Sequence, residues 1–570
     1  MEKDHKTYPV RQMANLKEML QDSVRLFGEN AAFLVKDEKG GNYREITYNQ
    51  FQKDIDSLGT QMLAMGLKDA KIAIIGENCY SWLVAYYAIV NGVGVAVPLD
   101  KELNEVEIHN LMKTAACEAV FFTDTYSSYF QEFPVKHKIQ MKAYEKEPDQ
   151  EGAVIPFKEW LEKGCVLLEG GDHSFQDTAV DSYEMKMILF TSGTTDVAKG
   201  VMLCHHNIVS NILDGSRIVN VLETDRTLSI LPIHHTFEST MGTGMILYAG
   251  GSIAICEGLK YIAKNMEEAK VSILVGVPLI FESIYDKIWK QAEKTGKAKK
   301  LRKAIKWNKS LKGMGLDMSQ KLFKAIHKKF GGNLRMIVSG AAPIDPNVIR
   351  GFEDLGLKVL QGYGLTECSP LISGTPDFSD TYKKAGSVGL CVHSGAIQIV
   401  DKDDDQIGEI LYAGPNVMMG YYNLPDKTEE VLKDGWFYTG DLGFLDDNGW
   451  LYITGRKKNV IVTKTGKNIY PEEVEYYINR NKYIQESLVH GLLDNNEDTL
   501  VSAQVRPDYD VIYEEFGENL DEGQIHALIK KVIGEINEKL PIYKRVRNFS
   551  VRREEFIKTT TKKIKRHQNK

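Results

Sequence analysis

The chain has 570 residues, 43% hydrophobic and 26% charged, with a formal net charge of −7. That length exceeds what one hydrophobic core serves and predicts several packed subdomains. The composition excludes a disordered or fibrous protein, and the slight acidity gives no global basis for binding nucleic acid.

In chain order, Met1–Arg11 is charged and carries no apolar signal core. The most membrane-like stretch, Tyr80 to Pro98, is interrupted by Asn91, Gly92 and Gly94, which predicts a buried helix followed by a strand at Val95–Val97. Further strands are predicted at Lys71–Ile75, Ala119–Thr123, Met187–Phe190, Leu228–Leu231, Ile253–Ile255, Ile273–Val275 and Met336–Ser339. They alternate with helical patterns, the mark of α/β layering with largely parallel sheets. A Lys-rich helical insert follows Tyr285 and runs to about 332, and short strands with Gly and Asp turns occupy Ile407 to Thr454. Asp446-Asp447-Asn448-Gly449 predicts a tight hairpin turn. Beyond Gly455 a smaller α/β unit begins, and the polar run Gly455–Asn459 reads as its linker. The seven cysteines are scattered with no C-x-x-C pair, which argues for a reducing compartment and against a disulfide framework or structural zinc.

The stretch Leu189 to Val201 is the most informative. An apolar strand enters a loop of Thr191, Ser192, Gly193, Thr194 and Thr195, then reaches Lys199 and Gly200 and a second strand. Hydroxyls and free N–H groups can surround phosphate oxygens, the glycines allow close backbone approach, and Lys199 supplies positive charge. No Walker A pattern is present. An ordinary Ser/Thr/Gly turn would look the same, so the neighbouring motifs decide.

Those motifs are Leu231-Pro232-Ile233-His234-His235-Thr236-Phe237, Ser339-Gly340-Ala341-Ala342-Pro343, Gln361-Gly362-Tyr363-Gly364-Leu365-Thr366-Glu367 and Tyr438-Thr439-Gly440-Asp441. Gly455-Arg456-Lys457-Lys458 follows, and last comes Lys558-Thr559-Thr560-Thr561-Lys562-Lys563-Ile564-Lys565-Arg566. In this order, over nearly the whole chain, the sequence resembles the adenylate-forming superfamily, most closely its long-chain fatty-acyl-CoA synthetases. The resemblance implies a large N-terminal domain of layered α/β subdomains with a small β-rich subdomain over 1–455. A hinge at 456–459 and a small mobile α+β C-terminal domain over 460–570 complete the expected fold.

It also implies roles. Tyr363 offers a face for adenine, with Gly362 beside it and the small residues Gly340, Ala341 and Ala342 leaving room. Thr366 contacts the α-phosphate, and Glu367 is the Mg²⁺ carboxylate. Asp441 and Arg456 grip the ribose, and His235 lies at the acyl pocket while His234 is structural. Neither histidine has a metal-ligand spacing in the sequence, so no zinc is expected. Lys458 marks the hinge, and Gly466 lines the pantetheine channel. Lys563 is the catalytic lysine: a carboxylate attacking ATP is anion meeting anion, and positive charge must stand where they converge. The family has Gly where this chain has Lys562; spacing to Ile564 and Arg566 selects Lys563.

The implied substrates are ATP, coenzyme A and a fatty acid, with Mg²⁺. Gly364 stands where short-acid members place Trp, and the helical insert resembles long-chain enzymes. The basic run Lys297 to Trp307 suggests contact with an anionic membrane surface from a cytoplasmic location. An acyl-AMP ligase, an acyl-acyl-carrier-protein synthetase and an inactive nucleotide-binding regulator share the same nucleotide motifs.

Overall fold

The structure is a computed structural model describing residues 6–142, 154–191, 198–463, 467–493, 499–558 and 564–569. The chain forms two compact units, one of Met1–Ala396 and Ala413–Gly435, the other of Ile397–Tyr412 and Trp436–Lys570.

Two large sheets build the first unit. One runs in the order Gly420–Tyr421, Lys199–Cys204, Met185–Thr191, Val95–Pro98, Lys71–Ile75, Ala119–Thr123, His137–Met141, Ile155–Pro156. From Met185–Thr191 onward the neighbours are parallel, whereas Lys199–Cys204 and Gly420–Tyr421 join antiparallel. Ala119–Thr123 is buried throughout, which is why it reads as an unbroken apolar run. The stretch from Tyr80 contains a helix, Tyr80–Ala88, a π-helical turn, Ile89–Val93, and a buried strand, Val95–Pro98, as expected. Gly94 is required there, since a Cβ would stand 2.1 Å from the Ala70 carbonyl oxygen.

In the other sheet Ser252–Ile255, Arg226–Ser229, Ile273–Gly276, Met336–Ser339 and Lys358–Gly364 lie side by side and parallel. Their carboxyl ends therefore open on one edge, where open α/β sheets bind ligands. Phe281, Phe352, Met266, Leu274, Ile337 and Val359 pack together in the core of this layer. The expected insert is helical, as Pro278–Lys294, Ala298–Gly313, Ser319–Leu322 and Lys324–Lys329. Asn308 is the buried residue of Ala298–Gly313 and donates to Ser319 Oγ at 2.8 Å.

The second unit contains antiparallel strands Gly408–Ala413, Trp436–Leu445 and Leu451–Arg456. Its hairpin turn falls at Asp446–Gly449: the Gly449 N–H donates to Asp446 O, and Gly449 has φ 80°. Strands Ile484–Leu493, Thr499–Pro507 and Asn548–Val551 follow, with helices Pro471–Asn479 and Glu522–Asn537 sharing their core through Val474, Ile478, Val489, Ile529 and Ile533. Among the described residues no helix is long and apolar enough to cross a membrane.

Candidate active site

Two neighbouring parallel strands of the first unit deliver the central motifs. Ser339, which ends Met336–Ser339, pairs with Gln361 in Lys358–Gly364, so Gly340–Ala342 and Gly362–Glu367 leave adjacent strand ends. Gly340 has no room for a side chain, because a Cβ would meet the Phe237 ring at 2.7 Å. Ala341 sits at φ 69°, a left-handed backbone that a non-glycine residue adopts at a cost of about 1–3 kcal/mol and that clusters at functional sites. Tyr363 is half-buried and pairs with Ser373. At Gly364 a Cβ would lie 1.8 Å from the Pro370 carbonyl oxygen. Backbone packing thus demands glycine at 364, a reason independent of the acyl-pocket wall expected from the sequence.

Thr366 and Glu367 form a 3₁₀ turn, Thr366–Cys368, which uncharged amides hold in place. Asn416 is fully buried and its Nδ2 donates to Cys368 O at 2.6 Å and Leu371 O at 2.9 Å. Asn211, also fully buried, exchanges two hydrogen bonds with the Leu371 backbone. One turn earlier on the same helix, Asn207 donates to Pro415 O and Val417 O at 2.8 and 2.9 Å. Sequence reasoning passed over all three asparagines; the one available signal was Asn207 and Asn211 at i, i+4.

The phosphate-loop residues Ser192, Gly193, Thr194 and Thr195 lie outside the described residues, but the strands flanking them are clear. Thr191 pairs with Lys199, and Thr191 Oγ1 donates to Lys199 O at 3.3 Å. A Cβ on Gly200 would meet Ile188 at 2.9 Å and Tyr422 at 3.2 Å, so this glycine serves packing within the sheet as well. Lys199 Nζ lies 4.8 Å from the centre of the Tyr421 ring, and the Tyr421 hydroxyl donates to Glu367 Oε1 at 2.9 Å. Tyr421 was not singled out in the sequence. It falls within the short strands expected over Ile407 to Thr454, where a Gly-Tyr-Tyr run was its one local signal.

His234 is buried and its ring centre lies 4.1 Å from that of half-buried His235. Sequence spacing showed neither histidine near a carboxylate, yet the fold brings Asp100 Oδ1 to 3.6 Å from His234 Nε2. Asp100, His234 and His235 offer donor atoms within 4.8 Å of one another. Burial, then His235 and the positive charge of Lys101, push the His234 pKa well down.

In the second unit, Asp441 pairs with Arg456 across its hairpin, and Arg456 Nε bonds Asp441 Oδ1 at 2.6 Å. Thr439 Oγ1 accepts from the Asp441 N–H and donates to Ile410 O, fixing the turn. Lys458 lies exposed in the short 3₁₀ turn Lys457–Asn459. Gly466, Lys562 and Lys563 lie outside the described residues. The tail around them is anchored: Lys558 pairs with Ile564, Lys558 bonds Glu486, and Arg566 meets Glu475 at 2.6 Å and Glu472 at 3.4 Å.

The carboxyl ends of the parallel strands, with Glu367 and the Lys199 strand linked through Tyr421, mark the edge where open α/β sheets bind ligands. A family model described as AMP-binding enzyme matches residues 20–422. Long-chain-fatty-acid–CoA ligase 5 of Rattus norvegicus is 32% identical, covering 79% of this chain and 69% of that protein. The chloroplastic long-chain-fatty-acid–[acyl-carrier-protein] ligase AEE15 of Arabidopsis thaliana is 25% identical, covering 78% and 71%. The crystal structure of the anthranilate CoA ligase AuaEII in complex with anthranoyl-AMP shares the fold, with TM-score 0.75, 18% identity and coverage of 98% and 96%. The chain belongs to the AMP-binding enzyme family. It is an ATP-dependent acid–thiol ligase of the adenylate-forming kind.

Proposed function

We propose that the acid is a long-chain fatty acid and the thiol coenzyme A: ATP, fatty acid and CoA yield acyl-CoA, AMP and pyrophosphate through an acyl-adenylate. The observation that carries this reading is the 32% identity to a long-chain-fatty-acid–CoA ligase over most of both chains. The helical insert agrees with it.

A free carboxylate is a poor acyl donor because its leaving group would be oxide. Attack of the fatty carboxylate on the α-phosphorus expels pyrophosphate and leaves AMP as a good leaving group, and the thiol then displaces AMP. In this reading Tyr363 and Gly340–Ala342 receive adenine, while Thr191–Thr195 and Lys199 receive the outgoing phosphates. Thr366 contacts the α-phosphate, Asp441 and Arg456 take the ribose hydroxyls, and His235 borders the acyl carboxylate. The Glu367 carboxylate is the hard oxygen donor Mg²⁺ prefers, so the residue fits the ion. Bound there, Mg²⁺ supplies charge neutralisation of the phosphate oxygens. Lys563 brings positive charge to the two anions, and rotation at the 456–459 hinge, marked by Lys458, exchanges it for the Gly466 loop in the thiol step.

Helix Ala298–Gly313 adds a site for taking acids from a lipid surface. It carries Lys299, Lys300, Arg302, Lys303, Lys306, Lys309 and Lys312 with no acidic residue, and Trp307 is 54% exposed. Neutralising Lys299, Lys300 and Lys303 is expected to abolish co-sedimentation with anionic vesicles; unchanged co-sedimentation refutes this contact.

The relative named for acyl carrier protein makes that protein the competing acceptor. A panel of acids from acetate to stearate, scored for AMP release with CoA or acyl carrier protein, tests both choices. Release that is CoA-dependent and greatest with long acids is expected; preference for acetate or for the carrier protein refutes the proposal.

A further inference from the structure

Tyr421 lies between the two charged groups that this ligase reading assigns to phosphate and metal. Its position is set by backbone: Tyr421 pairs with Val201, Met419 N donates to Met202 O at 3.0 Å, and Tyr422 N donates to Gly200 O at 2.7 Å. Thr428 Oγ1 accepts from the Tyr421 N–H at 2.9 Å, and the residue is 5% exposed. The short strand Gly420–Tyr421 is thereby locked to the strand that begins with Lys199. Glu367 is tied to the same segment twice, by its side chain to the Tyr421 hydroxyl and by its carbonyl to the Met418 N–H at 2.8 Å.

We propose that Tyr421 is a positioning residue for the metal and phosphate side of the site: its hydroxyl orients the Glu367 carboxylate, and its ring places the Lys199 ammonium. The inference rests on the reading of Glu367 as the Mg²⁺ ligand. A carboxylate oxygen that accepts a fixed hydrogen bond cannot swing, so the group meets a metal without first losing rotational freedom. The ring face at 4.8 Å attracts the ammonium by cation–π interaction, an attraction weaker than that of a triphosphate, so the lysine is placed without being sequestered.

The test uses the full-length protein, Mn²⁺ as a spectroscopic substitute for Mg²⁺, and a non-hydrolysable ATP analogue. Electron paramagnetic resonance reads Mn²⁺ affinity in the presence of the analogue, and calorimetry reads analogue affinity without metal. Tyr421→Phe, which keeps the ring, is expected to weaken Mn²⁺ about 10-fold and leave metal-free analogue binding unchanged. Tyr421→Leu is expected to weaken both. In a Glu367→Gln background, Tyr421→Phe is expected to add no further loss, because its effect passes through the carboxylate. Thermal unfolding of Tyr421→Phe at the parent's temperature separates this from misfolding; if that variant unfolds early, the Glu367→Gln double-mutant comparison alone decides. A parent that binds both ligands, with Mn²⁺ affinity unchanged in Tyr421→Phe, overturns the role of Tyr421. So does a loss that persists in the Glu367→Gln background. A parent that binds neither analogue nor Mn²⁺ overturns the ligase reading itself.

Discussion

The Glu367 turn and the carboxyl-terminal tail hold functional chain segments by opposite means. Around Glu367 the fasteners are neutral: Asn207, Asn211 and Asn416 bind backbone carbonyls and are at most 6% exposed. In the tail they are ionic: Arg566 with Glu475 and Glu472, Lys558 with Glu486. Buried amide bonds fix geometry across a wide range of pH and salt, because no group titrates and little solvent enters. Ion pairs between partly exposed groups weaken with salt, and their strength lies between that of surface and buried pairs. The Glu367 turn therefore rests on buried neutral bonds, whereas the chain on either side of residues 559–563 is held by ion pairs.

The largest expected effect tests the tail's cargo. Lys563→Ala should slow acyl-adenylate formation about 10²–10³-fold, measured by single-turnover quench, with fatty acid binding unchanged. Next comes the neutral frame. Asn416→Ala strips two carbonyls of a buried donor and should lower unfolding free energy by about 2–3 kcal/mol in urea, equally at low and high salt. Arg566→Ala should cost between the about 1 kcal/mol of an exposed pair and the about 3 of a buried one. Its penalty should shrink as salt rises, which the Asn416 penalty should not.

The large unit also holds one buried acid that sharpens the contrast. Glu238 is 1% exposed, and burial pushes its pKa up to about 8 from an ordinary 4.5. Its folded value lies above its unfolded value, so its contribution is complete below pH 4.5 and lost as pH rises through 8. The stability of the parent should fall relative to Glu238→Gln as pH rises across that window, by up to about 1.4 kcal/mol per pH unit. Parallel curves for the two proteins would show the acid to be ionised throughout. The smallest effect is at Ala341, where Ala341→Gly should relieve left-handed strain and raise stability by about 1 kcal/mol in thermal unfolding.

Much of this molecule was legible before its structure. Apolar runs such as Ala119–Thr123 announce buried parallel strands, and Asn448-Gly449 announces its turn. Motifs such as Gly362–Glu367 are contiguous, so the family likeness they carry can be read along the chain. Asn416 and Leu371 are 45 residues apart and Asn211 and Leu371 are 160 apart, and an uncharged amide in an apolar segment has no periodicity to mark it. The approach of Asp100 to His234 was hidden for the same reason, because it depends on how strands of separate sheets face each other. Gly364 gave a partial lesson: its smallness was visible, but the Pro370 carbonyl that enforces it was not.

The most direct test of the ligase account is exchange of labelled pyrophosphate into ATP, with palmitate and without any thiol. Rapid exchange that requires palmitate and Mg²⁺ is expected. Absence of exchange by an intact, folded protein, or exchange equally fast without an acid, would contradict it.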